Sequence, residues 1–252
     1  MKMSLHIAER ELLDPFRITG WEWTHSRHIV VTLMEDGVLG SGEAEGVFYC
    51  NEDAQSLFDQ VHAVRAEIEK GISRQELQRL LPSGGARNAV DCAMWDLECK
   101  KAGKSIWQLT GIEPKPVTTV FTIGLESTPA AMAKKAAAAS DFSVLKIKLD
   151  GNQPYEKLAA IRAARPDADL VVDANQGWDF ELLKEVAPRC VDLKLGMLEQ
   201  PLPRGDDDEL EGYDCPVTLA ADESCLDTSE LELAAKRYDM INIKLDKTGG
   251  LT

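Results

Sequence analysis

Apolar and polar positions alternate with the period of a strand in the first part of the chain. Leu5–Phe16 and His28–Met34 are predicted to be strands, and the turn residues Glu35-Asp36-Gly37 join the second of them to Val38–Ala44. Between the first two strands, Thr19–Arg27 is polar and interrupted by glycine, so we expect a loop there. This part of the chain therefore predicts a small antiparallel sheet.

From Asp53 onwards the apolar positions recur with the period of a helix. Three helices are expected before residue 113, with apolar positions at Leu57, Val61, Val64 and Ile68 in the first, at Leu77, Leu80 and Leu81 in the second, and at Ala89, Val90, Ala93, Trp95 and Leu97 in the third, which spans 86–101. The stiff, polar segment Glu113-Pro114-Lys115-Pro116 marks a predicted domain boundary. It divides the chain into an α+β domain over residues 1–113 and a second domain over residues 114–252.

The second domain alternates strands with helices. The predicted strands are Val117–Ile123, Val144–Leu149, Asp169–Ala174, Leu195–Leu198, Val217–Ala221 and Met240–Leu245, separated by helices over Pro129–Ala139, Pro154–Ala164, Phe180–Ala187 and Ser229–Lys236. This alternation predicts a parallel sheet. No glycine-rich phosphate-binding motif follows a strand, which argues against an open nucleotide-binding sheet. Polar residues at the C-terminal ends of nearly all strands favour a (β/α) barrel instead.

Two lysines lie on one face of the strand Val144–Leu149. Lys146 and Lys148 are about 7 Å apart there, while Leu145 and Ile147 point to the opposite face. If the lysine face is solvated, the pair carries no functional information. If it is interior, burial and mutual repulsion both favour the neutral amine, and a neutral lysine can act as a base near neutral pH.

The following strands each end in a carboxylate. Asp173, Glu199 and Asp222 lie roughly 25 residues apart, close to one strand–helix unit, and Lys244 comes next on the last predicted strand. Three neighbouring carboxylates repel one another unless a cation neutralises them. All four histidines lie in the first quarter of the chain, so oxygen ligands and a hard ion, Mg²⁺ or alternatively Mn²⁺, are predicted. The alternative is that the three acids are unrelated surface charges.

This arrangement predicts a chemistry. Lys148 and Lys244 would approach a bound substrate from opposite sides. One lysine would remove the α-proton of a carboxylate substrate that chelates the metal, the metal would stabilise the enediolate, and the other lysine would return a proton to the opposite face. The expected reaction is a two-base racemisation or epimerisation.

Composition narrows the partners and the compartment. The 252 residues carry 28 basic and 43 acidic side chains, a net charge of −15, which argues against nucleic acids or anionic membranes as partners. The six cysteines show no zinc-binding spacing. They are scattered along the chain, and scattered thiols in a chain of this size are typical of proteins in a reducing compartment. Since no apolar leader or membrane span is evident, we expect a cytoplasmic protein, and a homo-oligomer is compatible with the sequence.

Five motifs in order resemble those of the enolase superfamily, in particular its muconate-lactonizing subgroup. They are Lys146-Ile147-Lys148, VVDANQGW around Asp173, LEQPLP around Glu199, ADES around Asp222 and NIKLDKTGG around Lys244. Within the subgroup, the segment LPSGGARNAVDCAMWDLECKKAGKS is similar to bacterial dipeptide epimerases of the L-Ala-D/L-Glu type. The resemblance implies an α+β capping domain and an enolase-type (β/α) barrel. Because chains of this family continue through two further strands, we expect the barrel here to be truncated after strand six.

The resemblance also implies an isomerase that epimerises a small-molecule dipeptide of the kind found in cell-wall peptides, with one Mg²⁺ per site. The residues it assigns are Asp173, Glu199 and Asp222 as metal ligands, Lys148 and Lys244 as the two bases, Lys146 as a contact of the substrate carboxylate that keeps Lys148 neutral, Thr122 as a further substrate contact, and Asn175 and Glu223 as supports of the ligands.

Glutamate-specific members of this family present an arginine in the first loop of the capping domain. This chain has Trp21, Glu22 and Trp23 in that region, and we expect these residues to contact the substrate. Glu22 would repel an anionic side chain, whereas the tryptophans can hold an apolar side chain or a cation. The second residue of the preferred dipeptide is therefore expected to be hydrophobic or cationic rather than glutamate.

Other functions remain open on the sequence. An o-succinylbenzoate synthase or a muconate cycloisomerase would use the same lysines and metal for elimination or ring closure. A non-catalytic barrel that retains these residues, or an inactive fragment, belongs to a different class. Residues beyond Thr252 would separate the enzymes from one another, and metal binding would separate an enzyme from a fragment.

Overall fold

The computed structural model describes all 252 residues, which form two compact units. The first unit contains Met1–Leu12, His25–Pro116 and Ile243–Thr252, and the second contains Leu13–Thr24 and Val117–Asn242. Each unit combines segments that are distant in sequence, so the predicted boundary at residues 113 and 114 stays a prediction. None of the helices has the length and hydrophobicity that a bilayer-spanning segment needs.

A three-stranded sheet is formed by β1 (Lys2–Ile18), β2 (Trp21–Glu35) and β3 (Val38–Ala44), in that order. The predicted turn between β2 and β3 is confirmed, because Asp36 and Gly37 both have positive φ and Glu35 pairs with Val38. The loop predicted over residues 19–27 is wrong. Only Thr19 and Gly20 form a turn there, and β2 already begins at Trp21, since tryptophan and threonine favour an extended backbone on a half-buried sheet.

Five helices follow: α1 (Ala54–Ala63), α2 (Arg65–Glu69), α3 (Arg74–Leu80), α4 (Gly85–Ala102) and α5 (Ile106–Thr110). The predicted helices are present, although the first is divided at Val64. α4 packs closely on β3. The packing depends on glycine, since a Cβ atom on Gly40 or Gly42 would overlap the backbone of α4. Together with the apolar face of β2, helices α1 to α4 enclose the core of the first unit.

The second unit contains a six-stranded parallel sheet with its helices. The elements are β4 (Phe121–Ile123), α6 (Pro129–Ala138), β5 (Val144–Lys148), α7 (Pro154–Ala164), β6 (Asp169–Asp173), α8 (Phe180–Asp192), β7 (Leu195–Glu199), β8 (Leu219–Ala221), α9 (Leu231–Arg237) and β9 (Met240–Ile241), and α10 (Leu245–Thr248) follows in the first unit. The strands lie in sequence order, and all neighbouring pairs are parallel. The predicted alternation of strands and helices is confirmed. Leu145 and Ile147 of β5 are fully buried in the core, as their strand parity predicts.

The last predicted strand is too long. β9 pairs with β8 only through Met240 and Ile241, and the chain then turns into α10. The alternation of polar and apolar residues in Asn242–Lys244 continues the strand pattern, but Ile243 is 72% exposed and packs on no layer. Residue Lys244 therefore stands immediately before a helix rather than on a strand.

Candidate active site

Carboxylates gather at the C-terminal ends of β6, β7 and β8. In the sheet register Asp173 pairs with Glu199, and Glu199 pairs with Ala220. Asp222 follows Ala220 by two residues and so belongs to the same face of the sheet. The three side chains are almost fully buried, at 1%, 2% and 0% exposure. The reading of these acids as unrelated surface charges is therefore excluded.

The two lysines of β5 lie beside these carboxylates. Lys146 Nζ is 2.9 Å from Asp173 Oδ2 and 2.6 Å from Glu199 Oε2. Lys148 pairs with Asp173 in the sheet register, and its Nζ donates to Asp173 Oδ2 at 2.7 Å and to Asn175 Oδ1 at 2.8 Å. The lysine face of β5 is thus the interior, charged face of the sheet, and the solvated alternative is wrong.

Charge compensation governs this cluster. Burial alone would lower the pKa of Lys146, but the attraction of Asp173 and Glu199 outweighs it and holds that pKa above its usual range. Burial likewise opposes ionisation of Asp173, yet the two ammonium groups keep its pKa below the ordinary value. Lys146 is therefore an ammonium in this structure, because the two carboxylates within 3 Å of its Nζ outweigh both burial and the neighbouring lysine. The prediction that Lys146 keeps Lys148 neutral stays a prediction.

The carboxylate oxygens of Asp173, Glu199 and Asp222 are candidate ligands for a metal ion. No three histidine, cysteine, aspartate or glutamate side chains surround a common point, and the ammonium of Lys146 lies between two of the carboxylates instead. That ammonium marks a place where buried carboxylates require positive charge. Glu199 is further engaged by Asn242, whose Nδ2 donates to Glu199 Oε1 at 2.8 Å. The chemistry of these buried carboxylate oxygens is the kind that a hard divalent cation binds, whereas in this structure Lys146 supplies the positive charge.

Gln200 holds two of the carboxylate strands together, which the sequence analysis missed. It is fully buried, and its Oε1 accepts from the backbone N–H groups of Asp222 at 2.9 Å and Ser224 at 3.0 Å. Its Nε2 donates to Leu202 O, Ser224 Oγ and Tyr238 Oη at 2.7–3.1 Å. Because Gln200 directly follows Glu199, this side chain couples the positions of Glu199 and Asp222.

Another buried carboxylate, Asp207, supports the Gln200 network through Ser224 and Tyr238. Asp207 Oδ2 accepts from Ser224 Oγ at 2.6 Å and from Tyr238 Oη at 2.7 Å, and Arg237 neutralises Asp207 at 2.5 Å. Burial raises the pKa of Tyr238, and the neighbouring Asp207 raises it further, so the phenol stays a donor. The only sequence signal for this network is the glutamine after Glu199, and apart from Leu202 its partners lie 22 to 38 residues away.

The remaining predicted residues of the second unit lie near this cluster or at the tip of the first hairpin. Thr122 is half-buried and pairs with Lys146 in the register of β4 and β5. Asn175 N donates to Asp173 Oδ1 at 2.9 Å, and Asn175 Nδ2 lies 3.5 Å from Glu223 Oε1. The sheet end therefore brings Thr122, Asn175 and Glu223 into the surroundings of the lysines and carboxylates.

The hairpin tip carries Trp21, Glu22 and Trp23. The two indole rings stack with centroids 6.1 Å apart, and Trp21 remains half exposed. Arg17 Nε lies 2.5 Å from Glu22 Oε2, so the charge of Glu22 is compensated within the tip. Thr19 Oγ1 donates to Ala174 O at 3.0 Å, which ties the tip to the chain just beyond β6.

Lys244 belongs to the first unit, as the residue that precedes α10. Its Nζ lies 5.7 Å from the ring centre of Tyr49, within the range of a cation–π interaction. The sequence predicts Lys244 on a strand, and this prediction is wrong, because the residue lies in a loop of the first unit just before α10.

Comparison with known proteins gives the family of both halves. Residues 2–111 match the mandelate racemase / muconate lactonizing enzyme N-terminal domain, and residues 129–252 match the enolase C-terminal domain-like family. The L-Ala-D/L-Glu epimerase of Escherichia coli K12 is 44% identical over 96% of this chain and 76% of its own length.

Solved structures agree with this match. An enolase family member from Agrobacterium tumefaciens with homology to dipeptide epimerases, which holds sodium and L-Ala-L-Glu, has a TM-score of 0.95 at 37% identity, over 99% of this chain and 76% of its own. A dipeptide epimerase from Enterococcus faecalis, complexed with Mg and L-Leu-L-Tyr, has a TM-score of 0.89 at 29% identity, over 99% and 75% of the two chains.

Proposed function

Since the chain belongs to the mandelate racemase / muconate lactonizing enzyme family of the enolase superfamily, we propose that it is a metal-dependent dipeptide epimerase. The observation that carries this proposal is the row of Lys148, Asp173 and Glu199 in one parallel register, with Asp222 following on the same face. The 44% identity to an L-Ala-D/L-Glu epimerase supports a dipeptide as the substrate. The enzyme would be an isomerase.

The metal ligands we propose are Asp173, Glu199 and Asp222. Their burial and their oxygen chemistry support Mg²⁺, with Mn²⁺ as the alternative, and the magnesium in the Enterococcus faecalis epimerase supports the same choice. A divalent cation there supplies electrostatic stabilisation to the negative charge that develops when a substrate α-proton leaves. Asn175 and Glu223 would keep the ligand side chains in place.

Proton transfer is assigned to Lys148 and Lys244. The neutral amine of one lysine takes the α-proton, and the electron pair of the broken C–H bond stays on the substrate. The ammonium of the other lysine then donates a proton to the opposite face of the α-carbon, which inverts the centre. Lys148 is supported by its contacts with Asp173 and Asn175, and Lys244 by its place in NIKLDKTGG and by the family. Lys146, as an ammonium, would bind the substrate carboxylate.

Substrate selection is assigned to Thr122 and to Trp21, Glu22 and Trp23 of the hairpin tip. The stacked tryptophans offer an apolar surface, and Arg17 is already paired with Glu22. These features support a hydrophobic or cationic second residue. A cytoplasmic location and the absence of nucleic-acid or membrane partners stay predictions from composition, with cell-wall peptides as the expected source of substrate.

Isotope exchange in deuterated water tests the proposal. The purified full-length protein with Mg²⁺ is offered L-Ala-L-Glu, L-Ala-L-Phe and L-Ala-L-Lys, and NMR follows the loss of each α-proton signal. Lys148→Ala and Lys244→Ala should each abolish epimerisation, and each should retain exchange from one stereoisomer only. Undiminished epimerisation by either variant contradicts two-base chemistry, and no exchange by the unmodified protein with any dipeptide overturns the epimerase assignment.

A further inference from the structure

Helix α4 holds the end of the chain, residues 244–252, which we call the Lys244 segment. Arg87 Nε donates to Gly249 O at 3.1 Å, and its Nη2 donates to Thr248 O at 2.7 Å. These carbonyls stand at the C-terminal end of α10, where free carbonyl groups require donors. A single guanidinium on α4 thus satisfies the end of the helix that Lys244 begins.

Two further side chains of α4 complete this attachment. Asn88 Nδ2 donates to Asp246 Oδ1 at 2.5 Å. Asp91 is 1% exposed, and its Oδ2 accepts from the backbone N–H groups of Leu251 at 2.8 Å and Thr252 at 3.1 Å. Hydrogen bonds to a buried carboxylate are among the stronger kinds. Arg87, Asn88 and Asp91 therefore contact the segment at three successive places.

The segment is also shaped to this face of α4. Gly249 and Gly250 have φ of +75° and +115°, and a Cβ on either would overlap the side chain of Arg87 or Asp91. Only glycine permits both the backbone conformation and the close approach. The contact between α4 and this segment is consequently specific and closely packed.

The attachment reaches Lys244 through the backbone of α10 and through Asp246. Lys244 O accepts from Thr248 N at 3.1 Å and from Thr248 Oγ1 at 3.2 Å. Burial raises the pKa of Asp246, and the Asn88 amide and the Lys244 charge both act to lower it. Asn88 thereby orients a carboxylate that attracts the Lys244 ammonium.

We propose that Arg87, Asn88 and Asp91 are positioning residues for Lys244, and that they control proton transfer on one face of the substrate α-carbon without affecting the other face. This inference rests on the epimerase function proposed above. Displacing a reacting group by about 1 Å can cost on the order of a hundredfold in rate. Lys148 is held separately on β5 by Asp173 and Asn175, so the loss should fall on the Lys244 face alone.

The test compares exchange from the two stereoisomers in Asn88→Leu and Asp91→Asn. Leucine has the branched shape of asparagine but cannot donate to Asp246, and asparagine in place of Asp91 removes the charge from its two backbone hydrogen bonds. Asp96→Asn is the matched control, because Asp96 lies on the same helix and accepts from Ser41 N rather than from the Lys244 segment. The stereoisomer served by Lys244 is identified as the one whose exchange Lys244→Ala abolishes.

Both variants should exchange that stereoisomer at least tenfold more slowly, while exchange of the other stereoisomer changes less than threefold. Mg²⁺ affinity, measured by calorimetry, should stay within twofold of the unmodified protein, since the proposed ligands lie in the second unit. Equal slowing of both stereoisomers, or no slowing of either, overturns the positioning role and leaves the epimerase proposal standing. If the unmodified protein exchanges neither stereoisomer, the epimerase proposal fails and this inference fails with it.

Discussion

The charged end of the parallel sheet and the Lys244 segment place side chains in two different ways. At the sheet end, the pleat and the register of neighbouring strands align Lys148, Asp173 and Glu199. In the Lys244 segment, hydrogen bonds from side chains of α4, 160 to 162 residues earlier in the chain, hold the backbone. Strand placement follows from local parity, whereas the second kind depends on a long-range contact that no local pattern reveals.

The two regions also differ in how charge is buried. Asp173 faces two ammonium groups, which lower its pKa, whereas burial next to an amide raises the pKa of Asp246. Removing one partner of a buried ion pair costs about 3–5 kcal/mol, and leaving one buried hydrogen-bonding group without its partner costs about 1–3 kcal/mol. Substitutions at the sheet end should therefore have the larger effects.

The largest effect is expected for Asp222→Asn. The side chain is fully buried, and its backbone is fixed by Gln200, so the amide should keep the fold while removing a ligand charge. We expect kcat/KM with Mg²⁺ to fall at least about a thousandfold and calorimetry to show lost metal binding. Asp214→Asn, in the exposed loop before β8, is the control. Full activity in Asp222→Asn would remove this carboxylate from the site.

A smaller effect is expected for Gln200→Leu, which tests whether the register alone sets the ligand spacing. Leucine is apolar and of comparable size, but it lacks the acceptor for Asp222 N and the donors to Ser224 and Tyr238. Residues that orient metal ligands typically contribute about 10–100-fold in affinity, and we expect Mg²⁺ affinity to fall within that range. Tyr238→Phe removes the hydrogen bonds of the phenol with Gln200 and Asp207 but leaves the bonds from Asp222 N and Ser224 N to Gln200 in place, so it should have less effect. Unchanged affinity in Gln200→Leu would show that the strands suffice.

Parity explains which parts of this site could be predicted from the sequence. Strand parity puts Lys146 and Lys148 on the face opposite to Leu145 and Ile147, and the structure places them beside Asp173 and Glu199. Asp222 follows the end of the next strand, two residues after the partner of Glu199. The family match covers both halves of the chain and agrees with the resemblance that the motifs indicate.

Other features could not be predicted, for physical reasons. The alternation in Asn242–Lys244 is the same whether or not a partner strand is present, so the end of β9 was placed too late. Gln200 has partners 22 to 38 residues away that only the folded chain brings together. Local polarity at Trp21–Arg27 concealed a strand, because a long hairpin can place polar residues on its exposed face.

A third prediction concerns Glu22 at the hairpin tip, which is held on a strand outside the parallel sheet and is proposed to help select the substrate. Glu22 compensates Arg17, so Glu22→Gln should release the guanidinium for an anionic substrate side chain. We expect the ratio of kcat/KM for L-Ala-L-Glu over L-Ala-L-Phe to rise about tenfold. Glu9→Gln, which breaks the exposed pair with Arg27 in the first unit, is the control. A clear preference of the unmodified protein for L-Ala-L-Glu would refute the expected hydrophobic or cationic specificity and leave the epimerase proposal intact.

The smallest effect concerns the pH dependence of stability in the Lys244 segment. Burial raises the pKa of Asp246 above its ordinary value of 3.8, so the folded state binds this proton more tightly than the unfolded state. The contribution of Asp246 to the free energy of unfolding is therefore fully present below about pH 4 and is lost as the pH rises through the raised pKa. This direction is opposite to that of a carboxylate whose pKa is lowered, such as Asp173.

Asp246→Asn isolates this contribution, because the amide stays neutral and its oxygen can still accept from Asn88 Nδ2. The free energy of unfolding is measured in urea from pH 3.5 to pH 7 for both proteins. The stability of the variant relative to the unmodified protein should increase with pH from about pH 4 and then level off above the raised pKa. Asp59→Asn, at an exposed position on α1, is the matched control. A relative stability that is flat or falls with pH would mean that Asp246 resembles the ion-paired carboxylates of the sheet end, and the contrast between the two regions would then lie in backbone placement alone.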